Sequence, residues 1–248
     1  MTIRRSLALL ACAGLSSVPA LAFAGDAGSR QEARYTLTEE LAGQGTGEVF
    51  EFDYVNPDDP EGKPPAVEKV VTKLPRRGSY DASVPASCAA SDAELMAAGA
   101  DACPEKSLIG GGVVTVDTGL PGPARIVTAD VVFANNADDP DGEFIYINTV
   151  RDGSLARTVI RADVRRRKTV TLAGMLPGTP PDGGSIDTVD LEIDSISKGK
   201  DNYITNPPRC RDGHWVTRVR FFYPDDVSQV ERTRSPCTEI VPTRVGAG

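Results

Sequence analysis

The sequence predicts an all-β protein, an antiparallel β-sandwich (one large or two packed) with one short helix bounded by cysteines. Three observations lead there. Apolar residues recur with a period of two along about ten short segments, the pattern of half-buried strands. Glycine, proline and acidic turn residues separate those segments. The stretch from Cys88 to Cys103, CAASDAELMAAGADAC, is almost alone in carrying a helical pattern.

The chain opens MTIRRSLALLACAGLSSVPALAFAGDAG, with two arginines, an apolar run from Leu7 to about Val18 and small residues ending in Ala22-Phe23-Ala24. This is the pattern of a secretory signal peptide over residues 1–24, cleaved before Gly25, and the run is too short to span a membrane as a helix. Arg4-Arg5 gives half of a twin-arginine export pattern. Leu9-Leu10-Ala11-Cys12 loosely matches a lipoprotein box, an anchoring through Cys12 that ranks second because few apolar residues precede it. The expected location is extracellular or in the cell envelope. Residues 25–33 read as a loose mature N-terminus. Residues 34–248 form the sandwich domain or domains, and LPGTPPDGGS at 176–185 is the best internal boundary. Beyond the leader no second long apolar stretch occurs.

The strands follow in order. In GEVFEFDYV, Phe50, Phe52 and Tyr54 share one face and Glu51 and Asp53 the other. GGVVTVDTG and GEFIYINTV are apolar strands between glycines, and Val127, Ala129, Val131 and Phe133 alternate between them. Ile160, Ala162 and Val164 oppose Arg161, Asp163 and Arg165, while Val189, Leu191 and Ile193 oppose Asp190, Glu192 and Asp194. The last segment, HWVTRVRFFYPDDVSQVERTRSPC, reads as two strands joined near Pro224 to Val227. Its second strand, Ser228 to Arg234, is polar in the manner of a protected edge.

The helix has its own signals. Ser91 and Glu94 stand at capping-box spacing. Asp92 suits the positive end of a helix, residues 92–98 are good helix formers, and Gly99 stands where a left-handed C-cap belongs. Two turns are not stable alone in water, so a covalent clamp has a purpose. After leader removal four cysteines remain, and four allow three pairings. Nearest neighbours are expected, Cys88 with Cys103 and Cys210 with Cys237, because the hairpin brings Cys237 back near Cys210. No pair has C-x-x-C spacing and His214 is the sole histidine, which argues against zinc. A redox role needs positive surroundings, whereas Asp92, Glu94 and Asp101 are acidic.

Without its leader the chain carries 25 basic and 35 acidic residues, a net charge of −10, which repels phosphate backbones and argues against a nucleic-acid partner. The candidates for chemistry are few. Asp138, Asp139, Asp141 and Glu143 offer hard oxygen ligands for calcium but lack the EF-hand spacing, so a solvated turn is the simpler reading; Asp58, Asp59 and Glu61 are a lesser version. In LEIDSIS, Glu192 and Asp194 match part of a strand motif of one family of sandwich-fold glycoside hydrolases. Ser197 stands where the required acid belongs, and cleavage needs two carboxyls. His214 has no nucleophile elbow to serve. The glycines at 110–112 lack the helix and Lys-Ser/Thr pair of a phosphate loop. The basic run Arg165 to Lys168 reads most simply as a hairpin tip or edge, with acidic wall polymers or the acidic faces of this same protein as what it could touch.

Three segments, TKLPRRGSYDASVPASCAASDAELMAAGADACPEKSLIGGGVVTVDTG, PGTPPDGGSIDTVDLEID and YITNPPRCRDGHWVTRVRFFYPDDVSQVERTRSPC, resemble recurrent segments of uncharacterised exported proteins of high-GC Gram-positive bacteria. There a cysteine-bounded helix followed by C-P-x-x-S-x-I-G-x-G occurs with a terminal hairpin ending in S-P-C. The resemblance spans most of residues 66–237 and implies export, two local disulfides and a β-rich fold, with no catalytic residues to transfer. The function expected is a secreted or envelope-associated structural or binding module whose partner is a cell-surface protein or wall polysaccharide. No cofactor is expected beyond the candidate calcium. The competing reading is a carbohydrate-active enzyme working through Glu192 and Asp194.

Overall fold

A computed structural model describes residues 30–56, 58–137, 142–152, 156–173, 183–224 and 226–239. The leader with Cys12, and most of the candidate boundary at 176–185, lie outside them. The long strands are β1 (Gln31–Leu37), β3 (Glu48–Tyr54), β4 (Lys69–Lys73), β6 (Leu108–Asp117), β7 (Ile126–Asn136), β8 (Glu143–Val150), β9 (Arg157–Arg165), β10 (Thr169–Ala173), β11 (Ser185–Ile193), β15 (His214–Phe222) and β16 (Ser228–Pro236). Two-residue strands fill the remaining numbers: β2 (Gly45–Thr46), β5 (Ser79–Tyr80), β12 (Ser197–Lys198), β13 (Asp201–Asn202) and β14 (Ile204–Thr205). The helix α1 (Asp92–Ala98) stands between β5 and β6.

The eleven long strands make one antiparallel sheet in the order β1-β3-β11-β6-β7-β8-β9-β10-β4-β15-β16. The all-β antiparallel class is as expected, and both walls around the core belong to this single sheet. Strands pair mostly with chain neighbours, except that β11 inserts between β3 and β6 and β4 between β10 and β15. The sheet curls until β1 lies beside β16, giving a nearly closed barrel.

That seam explains the polar second strand of the C-terminal hairpin. In place of a backbone ladder, side chains of β16 meet the edge groups of β1. The Ser235 hydroxyl accepts from the Leu37 amide at 3.0 Å and donates to the Tyr35 carbonyl at 3.3 Å. The Thr233 hydroxyl donates to the same carbonyl at 3.2 Å. Gln229 takes the Gln31 amide on its Oε1 at 3.0 Å and donates its Nε2 to the Gln31 carbonyl at 2.5 Å. Alternate residues of β16 therefore satisfy an edge that would otherwise be open to pairing with another chain. Ser235→Ala strips the buried Leu37 amide of its partner, so a loss of about 1–3 kcal/mol is expected in urea unfolding. An unchanged midpoint would show that the seam adds nothing.

Inward positions carry the core. Phe52 on β3 packs edge-on against Phe221 on β15, ring centroids 5.3 Å apart, across the interior. One end of the barrel is closed by the small sheet β2-β14-β5, whose Tyr80 and Ile204 are buried together with Tyr203 just before it. Tyr80 stands edge-on to Phe144 at 5.3 Å.

The helix packs on the outside. Its one buried residue, Leu95, joins Ala134, Ile145 and Ile147 on the outer face of β7 and β8. The predicted capping box is present: the Ser91 hydroxyl accepts from the Glu94 amide at 3.4 Å, and Glu94 Oε2 accepts from the Ser91 amide at 2.8 Å. Cys88 is bonded to Cys103 and Cys210 to Cys237, the pairing expected. So small a helix keeps its place through the disulfide and through Arg161, which donates to Asp92 and to the Ala90 carbonyl.

A candidate ligand cavity with one buried carboxylate

The inward side chains leave a cavity of about 430 Å³ inside the barrel, a size within the roughly 300–1,000 Å³ of small-molecule pockets. Its walls are mostly apolar: Phe50, Val114, Val131, Ile160, Leu172 and Leu191 line it from six different strands. Among the described residues the one acid in that lining is Glu48 and the one base is Arg157.

Glu48 opens β3 and shares the inward phase of Phe50 and Phe52, so its side chain enters the barrel. Its neighbours converge from two other elements, Tyr35 from β1 and Tyr80 from the end-closing sheet. The Tyr80 hydroxyl donates to Glu48 Oε2 at 2.8 Å, the Tyr35 hydroxyl donates to the same oxygen, and the two hydroxyls are 3.2 Å apart. Among the described residues, Oε1 has no hydrogen-bond partner and belongs to a residue that lines the cavity.

Burial pushes the Glu48 carboxyl up to about 7, against the two tyrosine hydrogen bonds that favour its charged form. Burial, and then the Glu48 charge, hold the Tyr35 and Tyr80 hydroxyls well above the ordinary phenol value. Tyr146 is raised for the same two reasons and packs edge-on to Phe133 at 4.7 Å. Nearby, the buried Tyr203 hydroxyl has no hydrogen-bond partner among the described residues. Polar groups thus gather at one pole of an otherwise apolar chamber. Toward the other end the lining passes through Asn148 and Thr158, joined at 3.2 Å, to Thr118, Arg157 and the exposed Ala156. Arg157 ties this rim to the helix by donating to the Ala97 carbonyl at 3.0 Å.

The candidates read from sequence lie elsewhere. Glu192 and Asp194 are exposed on the outer face at the end of β11 and do not line the cavity. Glu143 pairs with Arg161 at 2.7 Å, while Asp138, Asp139 and Asp141 lie outside the described residues. Among the described residues no group of three or more His, Cys, Asp or Glu side chains is placed to hold a metal. His214 holds its Nδ1 2.8 Å from the Asp212 carbonyl oxygen. The glycines at 110–112 are the middle of β6, between β7 and β11. Glu48, Tyr35 and Tyr80 are the site residues that strand patterning alone does not single out. The signal for Glu48 is present in GEVFEFDYV, where it is the lone acid on the apolar phase.

Against known proteins, the chain matches no family model, no curated protein and no solved structure.

Proposed function

We propose that this is an exported binding protein whose barrel takes up a small apolar molecule with a hydrogen-bond donor, a hydroxyl or an amine, at one end. The observation that carries this reading is the carboxylate at the pole of a mostly apolar cavity, with one oxygen held by two tyrosines and the other without a donor among the described residues. A few placed polar groups in an apolar pocket fix a ligand's orientation. A carboxylate accepts from a hydroxyl and attracts an ammonium, whereas it repels an anionic head in a medium that screens little. Among the described residues the lining contains no serine, cysteine, histidine or lysine, and this chemistry favours recognition over bond-making. Export is supported by the leader pattern and by two disulfides, which persist in oxidising compartments. No helix among the described residues is long and apolar enough to cross a membrane.

The test is displacement of the apolar dye N-phenyl-1-naphthylamine by dodecanol, dodecylamine, dodecane and dodecanoate at pH 8. Alcohol and amine are expected to displace at least about tenfold more tightly than alkane or acid, the worth of one charged hydrogen bond. Ala129→Trp, which fills the chamber, should abolish binding of every compound while leaving the fold intact by circular dichroism. Dye binding unaffected by that substitution would overturn the reading.

A further inference from the structure

The outer face beside the seam carries a second feature, independent of the cavity. Lys73 on β4 lies directly opposite Arg218 on β15, and Arg218 directly opposite Arg232 on β16. All three are exposed, and like charges facing one another across strands are unfavourable. At the end of this row a cleft of about 710 Å³ opens, with Lys73 and Arg218 in its wall. The turn after β4 adds Arg76 and Arg77, the hairpin between β9 and β10 adds Lys168, and the segment clamped by Cys210 adds Arg209 and Arg211.

Among the described residues no acid lines this cleft, although the chain holds more acidic than basic residues. Asp212 stands in the same turn as Arg211 but outside the lining. Among the described residues, none of the seven cations is in an ion pair; the pairs formed use Arg34, Arg125, Arg151, Arg161, Arg165 and Arg167. Arg77 also holds φ at 74°, a left-handed conformation that glycine adopts at less cost, within the turn closed by Gly78 on Pro75.

We infer that this cleft and the row running from it bind a linear phosphate polymer. Arginine supplies five of the seven charges, and its planar fork matches phosphate oxygens two at a time. So many cations around one cleft call for a ligand of high charge density, which a carboxylated polysaccharide, spreading its charges over whole sugars, does not offer. The site reads phosphates and not bases. Of the two aromatic rings in the described lining, Trp215 is buried with its Nε1 donating to the Arg209 carbonyl at 2.9 Å and His214 is held with its Nδ1 2.8 Å from the Asp212 carbonyl oxygen, so no Trp, Tyr or Phe face is presented for stacking.

The experiment is titration of the purified protein with long-chain inorganic polyphosphate, followed by calorimetry at 50 and 200 mM salt. Binding should weaken by at least about tenfold over that range, as expected when several phosphates are neutralised together. The double substitution Arg76→Gln with Arg77→Gly, on an exposed turn and relieving the left-handed arginine, should weaken binding at least about tenfold at 50 mM salt without lowering the melting temperature. Arg34→Gln, on the far side of the seam, should leave it unchanged. Polyphosphate binding that is absent at 50 mM salt, or that survives the double substitution, overturns the inference. Binding only to vesicles of anionic phospholipid overturns it in favour of membrane docking, and tighter binding to single-stranded DNA per phosphate overturns it in favour of base recognition.

Discussion

Replacing Gly112 with alanine is expected to cost about 4 kcal/mol or more, among the largest effects of single substitutions. Gly112 sits in the middle of β6, hydrogen-bonded between β7 and β11, with φ at 154°. A Cβ there would stand 2.0 Å from the Asp190 carbonyl oxygen and 2.9 Å from the Leu191 Cα. Both are backbone atoms of the neighbouring strand, so neither can swing aside as a flexible side chain does. Relief requires breaking the ladder that pairs Asp190 with Val113 and Leu191 with Gly112. Gly110 repeats the arrangement against the Glu192 carbonyl at 2.1 Å. The control is Gly199→Ala, where nothing lies within 4 Å of the added carbon and only the φ of 67° is unfavourable, a cost of about 1 kcal/mol. Thermal melting should separate the two variants by about 6 °C or more, at roughly 2–4 °C per kcal/mol for a chain of this size. Equal melting temperatures would show that β6 can retreat from β11, and the close approach of these strands would lose its explanation.

The second large effect depends on pH. The folded Glu48 carboxyl holds its proton up to about 7, against an ordinary value of 4.5. Between those values the folded protein binds a proton that the unfolded chain has released, so stability falls as pH rises through the window and levels off above it. The whole decline is about 3 kcal/mol. Glu48→Gln keeps an acceptor for the tyrosines and has no charge to bury. At pH 8 it should therefore unfold later than the parent by about 2–3 kcal/mol, while near pH 4.5 the two should agree within about 1 kcal/mol. Other carboxyls also titrate, including Asp187, which burial and its acidic neighbours raise, but they are common to both proteins and cancel in the difference. Urea unfolding at four pH values makes the measurement. Parallel curves would mean that Glu48 is solvated well enough to ionise freely, and the apolar pole of the cavity would have to be given up. Loss of the amine preference in dye displacement by the same variant then ties the stability effect to the ligand.

Much of the secondary structure was written in local pattern. Period-two alternation located most of the long strands because an inward face in the barrel contrasts with an outward face largely in water, whereas β1, whose first residues Gln31 to Ala33 read as part of a loose terminus, and the short β4 and β10 were not singled out. The capping box was equally local, since Ser91 and Glu94 act within one turn, and the disulfides followed from loops short enough to leave neighbouring cysteines close. What those patterns did not carry was anything requiring two distant strands at once. The polar residues of β16 looked like the blunted edge of an open sheet because β1, about 200 residues away, had no visible link to them; Gln229, Thr233 and Ser235 are instead the closure.

The candidate sites divide along the same line. Glu192 and Asp194 drew attention because charges clustered along the chain, yet alternate charges on one strand share its outer face. Glu48 is one acid among apolar neighbours. Its two tyrosine partners come from residues 35 and 80, and their meeting depends on the small sheet that closes the barrel's end. Lys73, Arg218 and Arg232 are likewise separate in sequence and become a row only through the pairing of β4, β15 and β16. By itself the sequence located the strands with clear alternation and the C-terminal hairpin, the helix cap and the nearest-neighbour cysteine pairing, because the forces behind these act within a few residues or across one loop; β1, β4 and β10 it did not single out. The tertiary structure alone decided that the sheet closes on itself, that a chamber remains inside it and which charges share a site, because burial and charge proximity are set by contacts between distant strands.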